Sequence, residues 1–366
     1  VNENRINFTT TERVDGAKVD IEGRVPVKRS PFIVTGEYFI RALMGVRNVS
    51  LTLTSSQGQF LPGYMPGTKY LGMSDYNDIL APGWPFILGY SDRNFFDKAA
   101  LNGWLSTDSL LNTPATYNNR FDLSARAQVE PFPGMRLDVN ADRRFLEGVS
   151  AYYIADFNGN FPDSTRNRIV TGNFSISVIS WGTAFEKITK ENDYISPTFE
   201  KFKENLIIIS SRRAEERAKT DPNYDPDIDP LTGEQITGPF KSGYGKTSRE
   251  VMIPAFIAAY TKTDPDKVTL ETFPSALRMM PNWRFTFDGL SRFPFIQKTF
   301  RSINISHQYR STYQIGSYTT NLNFITNAEG VNSLRDLQNN FIQQYEIGVV
   351  TLNEQFSPLI NIDMNW

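Results

Sequence analysis

The chain of 366 residues has no cysteine, a single histidine and no long hydrophobic run. The absence of cysteine excludes disulfides, thiolate metal sites and cysteine nucleophiles, and His307 alone cannot form a two-histidine metal site. We interpret His307 as a packed or interfacial residue. The strongest apolar run, residues 206–209, falls far short of the roughly 18 residues of a transmembrane helix. The net charge of −2, without a basic stripe, argues against nucleic acid as a partner.

Aromatic residues are abundant, at 13 % of the chain, although the mean hydropathy is −0.38. This combination is typical of outer-membrane barrels, whose strands are half polar and carry aromatic girdles. A soluble β protein with carbohydrate-facing aromatics would have it too. Because the chain begins at Val1 without a methionine or a signal peptide, we interpret it as an interior segment of a longer protein. The missing targeting signal then says nothing about localisation.

The clearest pattern runs from Arg120 to Arg144, where apolar and polar residues alternate on both sides of the turn 131–134. A helix would distribute these charges around its axis, so the period of two predicts an amphipathic β-hairpin. The apolar parity comprises Phe121, Leu123, Ala125, Ala127, Val129, Met135, Leu137, Val139 and Ala141. The polar parity comprises Asp122, Ser124, Arg126, Gln128, Glu130, Arg136, Asp138, Asn140 and Asp142.

The alternation recurs, which predicts an all-β, antiparallel protein with helical insertions. Further strands are predicted at 36–55, 149–157, 171–181, 281–290, 302–316, 341–352 and 359–366, with short pieces within 1–35 such as 18–22. Helices are predicted near 97–102, 198–219 and 247–261. The chain then divides into N-terminal strands (1–55), a long ordered loop rich in aromatics, Gly and Pro (56–119), the hairpin and next strand (120–181), a helical insertion (182–280) and further strands (281–366).

Two environments fit such strands. In a soluble sandwich, the apolar parity packs on a second sheet. In an outer-membrane barrel, strands of about 9–11 residues turn the apolar parity to lipid and the polar parity to an aqueous lumen. For the barrel, the candidate lipid-facing residues are Phe121, Leu123, Val129, Leu137 and Val139. The candidate lumen-lining residues are Asp122, Arg126, Gln128, Glu130, Arg136, Asp138, Asn140 and Asp142.

Motifs that suggest chemistry are incomplete. GYGKTS at 243–248 has Phe240 where a phosphate-binding loop needs its first glycine. Asp225, Asp227 and Asp229 are spaced like calcium ligands, but Pro230 replaces the required glycine. The carboxylate pairs suit a wall lined with charges better than a glycosidase site. We therefore predict no enzyme activity, no metal site and no cofactor.

Several aromatic-rich blocks occur in one order: LPGYMPGTKYLGM, APGWPFILGY, NGWLST, RFDLSAR, WGTAF, VMIPAFIAAY, PNWRFTFDGLSRFPF and SHQYRSTYQIGS. Together they resemble the SprA/Sov family, the outer-membrane translocons of the type IX secretion system of Bacteroidetes. The likeness extends from about residue 30 to residue 366. Residues 1–30 and 221–245 resemble nothing that we can name.

The resemblance implies a transmembrane β-barrel wall segment, part of a very large single-chain barrel that exports folded proteins. It implies secreted cargo proteins, accessory proteins that plug or escort the pore, and outer-membrane lipid as partners. Candidate partner contacts on the long loop are Tyr64, Met65, Trp84 and Trp104. If 131–134 is a periplasmic turn, strand alternation places the 182–280 insertion on the same side and the 56–119 loop on the outer side.

Two alternatives stay open at this point. One is another outer-membrane barrel, such as a TonB-dependent importer, with its plug domain upstream. The other is a soluble β-rich carbohydrate-binding module or glycan enzyme that uses Trp84, Trp104 and Trp181 as sugar platforms.

Overall fold

The computed structural model describes residues 45–366 except residue 91 and residues 163–166, 191–192 and 328–329. The strands are β1 (Val46–Phe60), β2 (Ser74–Tyr76), β3 (Ile79–Ala81), β4 (Ala115–Val129), β5 (Met135–Ala151), β6 (Ile169–Ser177), β7 (Asn282–Phe287), β8 (Ser302–Thr320), β9 (Tyr345–Ile347), β10 (Val350–Phe356) and β11 (Asn361–Asn365). The α-helices are α1 (Trp84–Ile87), α2 (Phe95–Leu101), α3 (Pro197–Thr220), α4 (Arg249–Tyr260) and α5 (Pro294–Gln297). The protein is thus largely β, with few helices.

The described strands form a nine-stranded antiparallel sheet and a separate hairpin of β2 and β3. The nine strands occupy six adjacent positions, because two positions are filled by strands placed end to end. β6 and β7 both lie between β5 and β8. On the other side of β8, three short strands follow one another: β9, β10 and β11. The order across the sheet is β1, β4, β5, β6/β7, β8 and β9/β10/β11.

The helical insertion interrupts one strand position. β6 pairs with residues 143–150 of β5, and β7 continues in the same direction along residues 135–140. The chain between them, residues 178–281, therefore leaves the sheet and returns to it at mid-height. The expectation that the insertion lies on the side of the 131–134 turn is wrong, because strand alternation assumes one segment for each strand position.

Side chains replace the missing ladder bonds at this break. The Ser311 amide donates to Asn282 Oδ1 at 2.7 Å, and the Asp142 amide donates to Ser177 Oγ at 3.0 Å. Tyr309 Oη accepts from the Ser180 amide at 2.8 Å and donates to a carboxylate oxygen of Glu354 at 2.8 Å. Because a buried amide without a partner is costly, these bonds make the break compatible with a continuous sheet.

A first hydrophobic cluster covers the end of the sheet at which β4 begins. It joins sheet residues to α2, to the chain that follows α2 and to the inner face of α4. Among its members are Phe95, Phe96, Trp104, Leu105, Tyr117, Val149, Phe174 and Ile315, with Ile253, Ile257 and Phe273 of the insertion packed against them. We call this loop and helix layer the cover.

A second cluster joins α3 to α4. Helix α3 begins where the Ser196 side chain caps the Phe199 amide at 3.1 Å and Pro197 occupies the first turn. Its apolar stripe, with Leu206 and Ile209, packs on Val251 and Ala255 of α4. Within the described ranges, no helix combines the length and the apolarity needed to cross a membrane.

Most sequence predictions of local structure are confirmed. The 120–144 hairpin and the helices near 97–102, 198–219 and 247–261 are present as β4–β5, α2, α3 and α4. The extension 149–157 is wrong beyond Ala151, and the strand predicted at 171–181 ends at Ser177. The strand predicted at 341–352 is divided between β9 and β10. The predictions for 1–35 and for the first part of 36–55 lie outside the described residues.

Candidate functional site

The sheet has one apolar and one polar face over its lower half, the half that contains the 131–134 turn. The pairing register aligns one residue from each position into rows across the sheet. One row consists of Val49, Ala127, Val139, Trp283, Tyr309 and Phe356. The next row, on the other face, consists of Asn48, Gln128, Asp138, Arg284 and Gln308. The candidate lipid-facing and lumen-lining residues therefore lie on opposite faces.

The apolar face is divided at mid-height. Above the break, the cover buries residues such as Phe174 and Ile315, which are 0 % exposed. Below the break, neither buried cluster of the described chain contains a residue of the apolar face. Val49 on β1 is 69 % exposed, and Val129 and Leu137 are half-buried by their strand neighbours. We call this lower half of the apolar face the uncovered band.

Aromatic rings mark both limits of the uncovered band. At the turn end, Phe132 contacts Phe287 and Phe300 contacts Trp366, with ring centroids 6.0 and 4.7 Å apart. At mid-height, a second group contains Trp181, Phe185, Trp283, Tyr309 and Phe356. From residue 300 to residue 309 the chain covers about 30 Å at about 3.3 Å per residue. At a barrel tilt of about 40° this is roughly 23 Å in height, close to the apolar band of outer-membrane barrels.

The polar face of the sheet carries charges of both signs, many of them paired. Arg120 and Asp122 are 2.7 Å apart, and Arg136 and Asp138 are 3.1 Å apart. Other bonds there join Arg47 to Glu130, Gln128 to Glu130, and Asn140 to Asp142. Arg126 is exposed. The described ion pairs on this face thus bring charges of opposite sign together.

The four candidate partner contacts on the long loop divide into two pairs. Met65 and Trp84 are 45 % and 51 % exposed. Trp104 is only 4 % exposed and forms an edge contact with Tyr64, whose hydroxyl is also buried. The prediction that Trp104 offers a contact surface is wrong, because its ring is buried in the cover, whereas Tyr64 is half-buried beside it. Trp104 is therefore no sugar platform either, whereas Trp181 is 53 % exposed.

The glycine-rich GYGKTS segment joins the insertion to the chain that precedes β9. The Phe341 amide donates to the Gly243 carbonyl at 2.9 Å, and the Gly245 amide donates to Asn340 Oδ1 at 2.9 Å. Gly243 has φ +76°, and a Cβ there would overlap the ring of Phe341. The glycines thus permit a close approach of two chain segments.

The acidic turn is organised by its own chain. Asp227 pairs with Lys241 at 2.7 Å, and the Asp225 and Asp229 side chains accept backbone amides two residues further on. Among the described residues, no group of three or more His, Cys, Asp or Glu could hold a metal ion. His307 lies beside Trp283 and Phe356, and its Nδ1 contacts the Leu359 carbonyl oxygen.

No protein-family model matches the chain, and a search of curated proteins finds no match.

Proposed function

We propose that this chain is a wall segment of a large outer-membrane β-barrel that exports folded proteins, as in the type IX secretion translocons that the sequence resembles. The apolar face of the lower half then meets lipid, and the polar face lines the conduit. The chain performs no catalysis in this function. The partners are secreted cargo, accessory proteins that plug or escort the pore, and outer-membrane lipid.

The uncovered band is the observation that carries this proposal. It spans six strand positions, and aromatic rings lie at both limits. Exposed, contiguous apolar surface of this extent is unusual on a soluble protein and marks an interaction surface. Lipid is the partner that fits its height and its aromatic limits.

The edges of the sheet support a larger barrel. Among the described strands, β1 pairs only with β4, so its other edge has no strand beside it. Backbone groups at a sheet edge cannot stay unpaired in lipid. A membrane location therefore requires further strands beside β1 and beside β10, which the proposed larger barrel supplies.

Two other functions compete with this proposal. A soluble carbohydrate-binding module accounts for Trp181 and Trp84 but leaves the uncovered band without a partner. A TonB-dependent importer accounts for the band equally well. The polar face favours a wide conduit, because its charges neutralise each other in the pairs Arg136–Asp138 and Arg120–Asp122.

Photo-crosslinking in the complete gene product tests the proposal. A photoreactive phenylalanine is placed at Arg126 or Asp138 on the polar face, or at the neighbours Ala127 or Val139 on the apolar face. During secretion, crosslinks to cargo protein are expected from the polar pair and are absent from the apolar pair. Cargo crosslinks of equal yield from both faces, or normal protein export in a deletion strain, would refute the translocon function.

A further inference from the structure

Arginines outnumber carboxylates on the polar face of the sheet, between the row that contains Arg120 and the row that contains Arg136. The pairing register places alternate residues of β4, β5, β7 and β8 on this face. Apart from the Arg47–Glu130 pair, the described strands carry six arginines and three carboxylates in these rows. The arginines are Arg120, Arg126, Arg136, Arg144, Arg284 and Arg310, and the carboxylates are Asp122, Asp138 and Asp142.

Asp138 has an arginine on each of two sides. Within β5, Arg136 Nε donates to both carboxylate oxygens at 3.1 Å. On the neighbouring strand, Arg284 lies directly opposite Asp138 in the pairing register. The Arg284 side chain is exposed and forms neither a hydrogen bond nor an ion pair within the described chain. Because one carboxylate neutralises only one of the two guanidinium groups, the other stays without a counter-charge.

Asp122 on β4 is shared in the same way. Arg120 Nε donates to it at 2.7 Å, and Arg144 lies directly opposite it on β5. Asp142, the remaining carboxylate of these rows, accepts from Asn140 Nδ2 at 2.9 Å. Whichever arginine holds each carboxylate, at least three of the six guanidinium groups lack a counter-charge. This excess does not depend on a particular side-chain rotamer.

The unpaired arginines are closest to one another where β7 meets β8. Arg284 pairs with Gln308, and Arg310 is two residues further along β8 on the same face. Such diagonal neighbours lie about 7–8 Å apart. Arg126 lies on the other side of β5, opposite Asn140. All three arginine side chains are exposed, and none has a hydrogen bond or an ion pair among the described residues. We call these three residues the arginine cluster.

The surroundings of the arginine cluster fit a polypeptide better than a chain of phosphates. Asp138 and Asp142 lie between Arg126 and Arg284 and repel a polymer that is charged at every unit. A polypeptide can place neutral residues opposite these carboxylates and hydrogen-bond to the amides and hydroxyls nearby. Guanidinium groups also bind a carboxylate through two parallel hydrogen bonds. The neutral polar neighbours are Gln128, Asn140, Thr286, Gln308, Thr312 and Gln355.

We propose that the arginine cluster binds an acidic segment of a polypeptide, with an Asp or Glu carboxylate between Arg284 and Arg310. Like charges at this distance repel one another, so a bound carboxylate stabilises this part of the face. The identification of the polypeptide as secreted cargo rests on the proposed function, because that function places the polar face in the conduit. Exposed ion pairs contribute little individually. The contact is therefore weak enough for a passing protein to leave it.

Peptide titration of the complete protein in detergent tests the site, with binding followed by the fluorescence anisotropy of a labelled probe. The probes are a peptide of alternating Glu and Ser, the same peptide with Gln in place of Glu, and a single-stranded oligonucleotide with the net charge of the Glu peptide. The test variant carries Arg284→Gln and Arg310→Gln. The matched control carries Arg292→Gln and Arg301→Gln, two exposed arginines between β7 and β8.

Wild type and control are expected to bind the Glu peptide more tightly than the Gln peptide. This preference should weaken when salt is raised from about 0.1 M to about 1 M. The test variant is expected to lose about tenfold in affinity for the Glu peptide, roughly threefold for each exposed arginine. Equal binding of the two peptides by wild type, unchanged affinity in the test variant, or an oligonucleotide that binds as tightly as the Glu peptide overturns the site.

Heat-dependent gel mobility, a property of folded barrels, is measured for each preparation and separates this inference from the proposed function. If the peptide result fails in a heat-modifiable protein, the proposed function survives and the arginine cluster does not bind acidic segments. A wild-type protein without heat-dependent mobility overturns the proposed function and, with it, cargo as the source of the acidic segment. The peptide affinities then still decide whether the arginine cluster binds acidic polypeptide.

Discussion

The backbone amide of Met280 donates a 3.0 Å hydrogen bond to the carbonyl of Ser177. The chain therefore returns to the sheet within one hydrogen bond of the point at which it left. The sheet can thus hold a large helical insertion without disturbing the pairing of β5 with β6 and β7. Because the insertion covers the sheet only above this point, the apolar face below it stays free.

Arg143 is expected to hold the insertion to the sheet. Its Nε donates to the Pro274 carbonyl at 2.9 Å, and its guanidinium lies 5.1 Å from the Phe174 ring centroid. Arg143→Ala should weaken docking of this segment by about 2 kcal/mol, the usual value of a hydrogen bond from a charged group. Limited proteolysis of the insertion in the complete protein measures this. Arg144→Ala, on the opposite and exposed face, should have little effect, and equal cleavage of both variants would contradict the anchoring role.

Arginine on the uncovered band should impair assembly, whereas arginine on the polar face should not. Val129→Arg and Leu137→Arg should each cost roughly 2–4 kcal/mol at mid-bilayer. The controls Gln128→Arg and Asp138→Arg lie one residue away on the polar face. The measurement is the amount of heat-modifiable protein in the outer membrane. Equal amounts for both pairs would show that the band does not face lipid.

The close approach of Gly243 to Phe341 should be essential for holding the insertion against the chain that precedes β9. Gly243→Ala places a methyl group in the Phe341 ring and forces alanine to φ +76°. Together these should cost about 2 kcal/mol or more. Gly238→Ala is the control, because a Cβ there meets nothing within 4 Å. Hydrogen exchange should increase in α3 and in residues 335–341 for Gly243→Ala alone; similar exchange in both variants would argue against this tie.

Glu250 should make the insertion less stable as pH rises. Burial raises the pKa of its carboxyl above the ordinary 4.5, although Arg213 and Arg217 oppose the shift and Glu216 adds to it. Since the folded pKa is raised, the stabilising contribution is complete below about pH 4.5 and is lost as pH rises through the folded pKa. Amide protection in α4, corrected for intrinsic exchange, should therefore fall over this range.

Glu250→Gln should abolish that pH dependence and increase protection at neutral pH. Glu216→Gln, which removes an exposed carboxylate of the same helix pair, should leave the dependence in place. A pH profile of α4 protection that is identical in wild type and Glu250→Gln would exclude Glu250 as its source.

Local patterns explain why much of the fold could be predicted from the sequence. The alternation around residues 131–134 specifies a hairpin without reference to the rest of the chain, and β4–β5 has that register. Helix α3 likewise has its own start signal in Ser196 and Pro197. Such features depend on neighbours along the chain, which a sequence displays directly.

Long-range pairing explains what could not be predicted. Nothing local shows that Ser177 and Asn282 belong to one strand position, or that the chain 341–352 divides into two strands. Trp104 is buried by segments that are distant from it in the chain. An aromatic residue at this position was therefore equally compatible with an exposed surface and with a buried core.

The most direct test of the central claim is membrane extraction of the complete gene product. We expect the protein to resist extraction by carbonate or urea and to change its gel mobility when it is boiled in detergent. A protein released into the soluble fraction, with the same mobility before and after boiling, would contradict it. The uncovered band would then need a protein partner rather than lipid.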